Sequence, residues 1–227
     1  MSAPSVNHAH QPGPRPRLVV RHLGRAAYEP VWRDMQVFTN GRDANTADEL
    51  WLLEHPPVFT LGRNGKPKHV HDTRGIPLIQ VDRGGQVTYH GPGQLVAYPI
   101  LDLKPDRKDL HRYLRDLETV LMAVATDFGI RAERSESGTG IWTSTGKLAA
   151  IGIRVSSGWI TSHGIALNVT SDLGYFDTIV PCGIADRGVT SLERELGGAP
   201  EAVEVRRSFV RHFGDVFERQ IPVAWAT

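Results

Sequence analysis

Cysteine is almost missing from this sequence: Cys182 is the only one in 227 residues. A lone thiol excludes an internal disulfide and any cysteine-based zinc cluster. Two readings of it remain, a small buried hydrophobe or a nucleophile. Long apolar runs are missing as well, and none approaches the length of a membrane span. The opening MSAPSVNHAHQPGPRPR contains no apolar stretch of the kind a secretory signal needs, so a cytoplasmic location is expected. Nor is there an excess of one charge. Twenty-six Lys and Arg face 25 Asp and Glu for a net +1, and the cations are dispersed, which argues against a nucleic-acid binder. Nucleotide-binding signatures are absent: no G-x-G-x-x-G opens a helix and no glycine-lysine pair is followed by Ser or Thr. TGKLAA places Lys147 after a glycine but lacks the hydroxyl residue, so ATP use is not expected.

What is present reads as one α+β domain, a mixed sheet packed with helices. Residues 1–16 are rich in Pro, His and small polar residues and are expected to form a disordered arm, with the domain spanning 17–227. LVVRHLG, ELWLLEHPPVFTLG and IPLIQVD read as strands. From Leu110 to Phe128 apolar residues recur at intervals of three and four, the stripe of an amphipathic helix. GIWTSTG, KLAAIGIRVSS and WITSHGIALNV follow as a block of antiparallel hairpins. TSLERELGG predicts a short helix, with Thr190 and Glu193 spaced as a capping box and Gly197 as its stop. A final helix over 201–219 is expected to dock on the sheet through Val205, Phe209, Phe213, Val216 and Phe217.

One stretch stands apart. RGGQVTYHGPGQLVAYPILDL sets four glycines and a Tyr-His pair directly before a strand expected over 96–103. Glycine lets backbone approach a bound molecule where a Cβ would collide, so this loop is a candidate pocket wall, although a ligand-free hairpin would show the same local chemistry.

Taken with GKLAAIGIRVSSGWITSHGIALNV and PCGIADRGVTSL, in that order, this stretch resembles the lipoyl(octanoyl) transferase family. The resemblance runs from about the first strand to the TSL helix. It implies a fold related to the catalytic domains of biotin protein ligase and lipoate-protein ligase, and transfer of an octanoyl group through a thioester on the enzyme. Carried over by motif, Cys182 of PCG and Lys147 of GKL would be the catalytic pair. The acyl-binding segments would be Arg83, Gly84, Gly85, Gln86, Val87, Thr88, Tyr89 and His90, then Ala150, Ile151 and Gly152, then Gly164, Ile165 and Ala166. Ala150 departs from relatives that carry Ser there. The implied donor is octanoyl-phosphopantetheine on acyl carrier protein. The implied acceptors are apo lipoyl domains of 2-oxoacid dehydrogenase complexes and the glycine cleavage H protein, with no ATP, metal, nucleic acid or membrane involved. An ATP-dependent lipoate or biotin ligase and a non-catalytic acyl-binding module are the competing functions.

The chemistry is consistent with the residue types. An amide is more stable than the thioester it replaces, so acyl transfer to lysine needs no nucleotide, and a cysteine divides the transfer into two steps that bulky partners can attend in turn. An ammonium beside Cys182 that lowered its pKa from about 8.5 to about 6.5 would raise the thiolate fraction roughly 25-fold. The accompanying fall in nucleophilicity leaves a gain of only about threefold. Lys147 is therefore assigned mainly to moving protons. Backbone N–H groups at Cys182 and Gly183 are candidates for holding the oxyanion. His90 and His163 are expected either to position the nucleophile, to line the acyl channel or to be satisfied structural histidines, and Tyr89 and Tyr98 to supply apolar wall. His69 and His71, without further ligands nearby, make a poor metal site. Arg21, Arg25, Arg63, Lys66, Lys68, Lys104, Arg107 and Lys108 are either a docking face for acidic partners or solvated loop charges.

Overall fold

The computed structural model describes residues 15–105, 107–135, 138–179 and 188–225. Its main sheet has seven strands in the order β1-β2-β6-β10-β9-β8-β7. These are β1 (Leu18–Arg25), β2 (Asp48–Glu54), β6 (Gln94–Ile100), β7 (Glu133–Ser135), β8 (Gly138–Trp142), β9 (Lys147–Val155) and β10 (Thr161–Asn168). β1 and β2 pair in parallel and every other pairing is antiparallel, including the β8-β9-β10 meander expected from the sequence. A second sheet, β4-β3-β5, joins β3 (Val58–Leu61), β4 (Leu78–Gln80) and β5 (Val87–His90).

Alternation along the central strands builds a layer on each face, because successive side chains point to opposite sides. Leu50 and Leu52 of β2, with Leu95 and Ala97 of β6, join the core beneath α2 (Leu110–Asp127) and α4 (Ala202–Val216). Trp51, Leu53, Val96 and Tyr98 turn the other way and pack on Val31 and Met35 of α1 (Tyr28–Gly41). Leu117, Val120, Leu121 and Val124 of α2 are fully buried, each stabilising the fold by about 1.5–3 kcal/mol relative to exposure.

Several elements differ from the sequence expectation. ELWLLEHPPVFTLG is two strands in different sheets, since Pro56 and Pro57 supply no N–H to continue the ladder. The strand expected over 96–103 runs instead from Gln94 to Ile100. Helix α1 was not anticipated. α4 packs on α2 as well as on the shared core, through a stack in which Phe213 and Phe217 lie 4.4 Å apart and Phe217 meets Tyr113 of α2 at 5.8 Å. In α3 (Leu192–Leu196) the N-cap is Ser191, whose hydroxyl accepts the Arg194 amide, rather than Thr190. Gly197 closes that helix at φ 73°, as its position suggested. The ends of the described chain meet: Leu18 N–H donates to Gln220 O at 3.0 Å, and Gln220 N–H donates to Pro16 O at 2.8 Å.

Candidate active site

On β9 and β10 the side chains turned away from α2 are small. Ala150 pairs with Ala166 and Gly152 with Gly164 across the strands, whereas Ala149, Ile151, Ile165 and Leu167 enter the core. Four adjacent Gly and Ala positions leave a trough on the sheet where larger side chains would stand. The trough is the floor of a cavity. Its wall is the run before β6, through Arg83, Gly85, Val87, Thr88 and His90, while Ile151, Ile165 and Thr139 complete the lining. A Cβ at Gly152 would stand 3.1 Å from Arg83 Cδ, so glycine there makes room for the arginine to cross the end of the trough.

That end is closed by buried polar side chains from distant parts of the chain. Arg83 donates to the carbonyl and the hydroxyl of Thr60, both at 2.8 Å, and to Gly84 O at 2.8 Å. His163 is 2% exposed and holds φ at 57°, a strained conformation for a residue with a Cβ. Its Nε2–H donates to Asp82 at 3.0 Å, and this bond, with the Arg154 guanidinium nearby, holds the Asp82 carboxyl down at about 2. Nδ1 of His163 then faces the Tyr28 hydroxyl at 3.4 Å. His55 donates through Nδ1 to Ala26 O at 2.7 Å and accepts from the Tyr98 hydroxyl at 2.8 Å. Burial pushes His55 down to about 4, His90 down to about 3, and His163 below its ordinary value. It also pushes Tyr28 up to about 12 and Tyr98 well above 10. Near neutral pH these imidazoles and phenols are uncharged.

Lys147 lies at the opposite end, with Nζ 4.7 Å from the centre of the Trp142 ring. Its backbone is paired on one side with the chain that resumes after residue 187: Lys147 N–H donates to Gly188 O at 3.1 Å, and Thr190 N–H donates to Lys147 O at 3.0 Å. A buried amide relay supports this junction. His90 Nδ1–H donates to Gln94 at 2.8 Å, Gln94 Nε2 donates to Asn168 at 3.0 Å, and Asn168 Nδ2 donates to Thr190 O at 3.0 Å. Glu195 accepts from Thr190 at 2.7 Å and from Thr143 at 3.0 Å, with Thr145 also hydrogen bonded to it.

Most of the residues proposed from sequence therefore converge on one cavity. Three of them stand outside its lining. Gly84 binds its amide to Ile153 O at 2.8 Å, the carbonyl of Gln86 accepts from Gly62, and Tyr89 stacks on Tyr175 at 4.6 Å in a separate core. Tyr98 and His163 do line the cavity. Tyr28, Thr139, Gln94 and Asn168 were not singled out by the sequence, and His55 and Asp82, one bond behind the lining, were missed as well. Cys182 and Gly183 lie outside the described residues. Among the described residues no group of His, Cys, Asp or Glu could hold a metal ion, and no helix is long and apolar enough to cross a membrane.

A lipoyl protein ligase A/B catalytic-domain model matches residues 27–214. The chain belongs to this family. Within the lipoyl ligase A/B family it is 47% identical over 194 residues to an octanoyltransferase of Methylococcus capsulatus, covering 86% of this chain and 93% of that protein. It is 46% identical over 206 residues to one of Geobacter metallireducens, covering 90% and 96%. Its fold matches a bi-partite lipoate protein ligase from Thermoplasma acidophilum with a TM-score of 0.72 at 14% identity, over 94% of this chain and 89% of that one. A biotin protein ligase from Aquifex aeolicus in complex with biotin and ATP matches with a TM-score of 0.54 at 13% identity, over 89% and 70%. The family resemblance read from the three motifs thus holds. The chain is an acyltransferase that carries out octanoyl transfer in protein lipoylation.

Proposed function

We propose that octanoyl transfer by this chain runs through a thioester on Cys182, with Lys147 moving protons, from an acyl-carrier-protein donor to a lysine of an apo lipoyl domain. The observation that supports it most is the Gly/Ala trough running from Lys147 to an end closed by buried polar side chains. Between Lys147 and Gly152 strand β9 rises roughly 17 Å, enough for an extended eight-carbon acyl group and the reacting side chains at its head. In the first half-reaction the Cys182 thiolate attacks the donor thioester, the bond to the carrier sulfur breaks, and the Lys147 ammonium gives that sulfur a proton. In the second, the acceptor amine attacks the acyl-cysteine, the C–S bond breaks, and neutral Lys147 takes the proton released as the amide forms. Three links support a place for Cys182 beside Lys147: the family motif, the pairing of Gly188 and Thr190 with Lys147, and the buried relay that holds Thr190.

No step consumes a nucleotide. The deciding experiment is incubation with octanoyl carrier protein in the absence of ATP, followed by intact-mass and peptide mass spectrometry. An octanoyl adduct on Cys182 that disappears on adding apo lipoyl domain is the expected result. A strict requirement for ATP, or an adduct elsewhere, would remove this mechanism.

A further inference from the structure

Cations scattered along the sequence are treated unequally by the fold. Arg21 is paired with Glu49 at 2.6 Å, Arg25 with Glu54 at 3.3 Å, Lys104 with Asp102 at 3.7 Å, and Arg107 with Asp116 and Glu218 at 2.7 and 3.1 Å. Lys108 precedes α2, on the side of the sheet opposite the trough. Arg63, Lys66 and Lys68 are different: all three are exposed, on the turn after β3, and among the described residues none has a carboxylate partner. This turn rests on the cavity wall. Gly62 N–H donates to Gln86 O, Arg63 N–H to Arg83 O and Asn64 N–H to Gly85 O, at 2.9, 3.0 and 3.2 Å. A few residues on, His71 N–H donates to Thr178 O at 2.9 Å, and Val70 pairs with Ile179, the last residue before the segment that carries Cys182. Of the carboxylates nearby in the chain, Asp82 is taken up by Arg154 and His163, each at 3.0 Å, and Asp72 caps the Arg74 amide.

We infer that Arg63, Lys66 and Lys68 form the landing surface for the acyl donor, an acidic carrier protein whose prosthetic arm begins at a phosphodiester. Three uncompensated charges on a backbone tied to the pocket wall attract an anionic partner within a Debye length of the cavity mouth, about 8–10 Å at ordinary salt. They select the donor over the acceptor. The donor brings a fixed phosphate negative charge at the base of its arm, whereas the acceptor offers a lysine, which carries a positive charge until it is deprotonated. Paired cations elsewhere have little field left to contribute.

The inference rests on the transferase reading, and its test separates the two. The triple variant Arg63→Glu, Lys66→Glu, Lys68→Glu is compared with wild type, using octanoyl carrier protein and octanoyl-pantetheine as alternative donors, with acyl loading followed by mass spectrometry. Loading from the carrier is expected to fall by about tenfold or more in kcat/KM and to lose its sensitivity to salt. Loading from octanoyl-pantetheine, transfer from preloaded enzyme to apo lipoyl domain, and thermal stability are expected to match wild type. An equal loss with both donors, an undiminished rate with the carrier, or a loss confined to the transfer step would overturn the assignment. If wild type itself is loaded by neither donor, the transferase reading fails instead.

Discussion

At the scale of single residues, Lys147 is where the proposal is most exposed to test. Arginine there keeps a positive charge over Trp142 but gives up the ability to become neutral. Lys147→Arg is therefore expected to load octanoyl slowly and to pass it on more slowly still, so that the acyl-enzyme accumulates. Single-turnover traces recording thioester loss and amide appearance separately would show this, and unimpaired transfer would end the case for Lys147 as a base. Rescue of Lys147→Ala by small primary amines is the companion outcome. Of the residues around it, those named by the motifs were legible because each motif is a continuous run. A continuous run also includes Gly84, Gln86 and Tyr89, which stand outside the lining because alternation along a chain lets only some of its side chains face one cavity.

At the scale of elements, the trough is made by the pairing of β9 with β10, and its depth depends on what those strands omit. Filling it should shorten the acyl group that fits. Ala166→Leu is expected to cut loading by octanoyl donors at least tenfold while leaving a butyryl donor nearly as effective, with little change in the melting temperature. Equal rates for both chain lengths would mean that the acyl group lies elsewhere. The two strands could be read from sequence because their turns and apolar alternation are local. Helix α1 could not. Pro30 falls in its first turn and only Tyr28, Val31 and Met35 are buried, a stripe too sparse to announce itself. With α1 unread, Tyr28 had no place. His55 and Asp82 were hidden for a related reason: they meet Tyr98 and His163 only after β2, the loop before β5 and β6 have been assembled, and no local spacing records that meeting.

At the scale of the whole molecule, three imidazoles buried without charge make stability depend on acidity. In the unfolded chain each titrates near 6.5, while in the native state His55 and His90 resist protonation to about 4 and about 3 and His163 is displaced in the same direction. Between those limits the unfolded chain holds more protons than the native one, so stability present above pH 6.5 is lost as the pH falls, by up to about 1.4 kcal/mol per pH unit for each histidine. Asp82 adds a further loss below its unfolded value near 3.8. Urea midpoints measured from pH 7.5 to 4.5 should decline steeply, and more shallowly in His55→Gln. A flat profile would mean that these rings titrate in the native state as they do in the unfolded chain. The hydrogen bonds between Leu18, Pro16 and Gln220 carry a different consequence, for how the protein is made. β1 leaves the ribosome early and finds β2 soon after, but the start of its outer edge stays unpaired until residues near the far end of the chain have been synthesised. A chain stalled short of Gln220 would hold an assembled trough beside an open strand end, so quality control would meet a nearly finished enzyme whose first strand is still unfastened at its start.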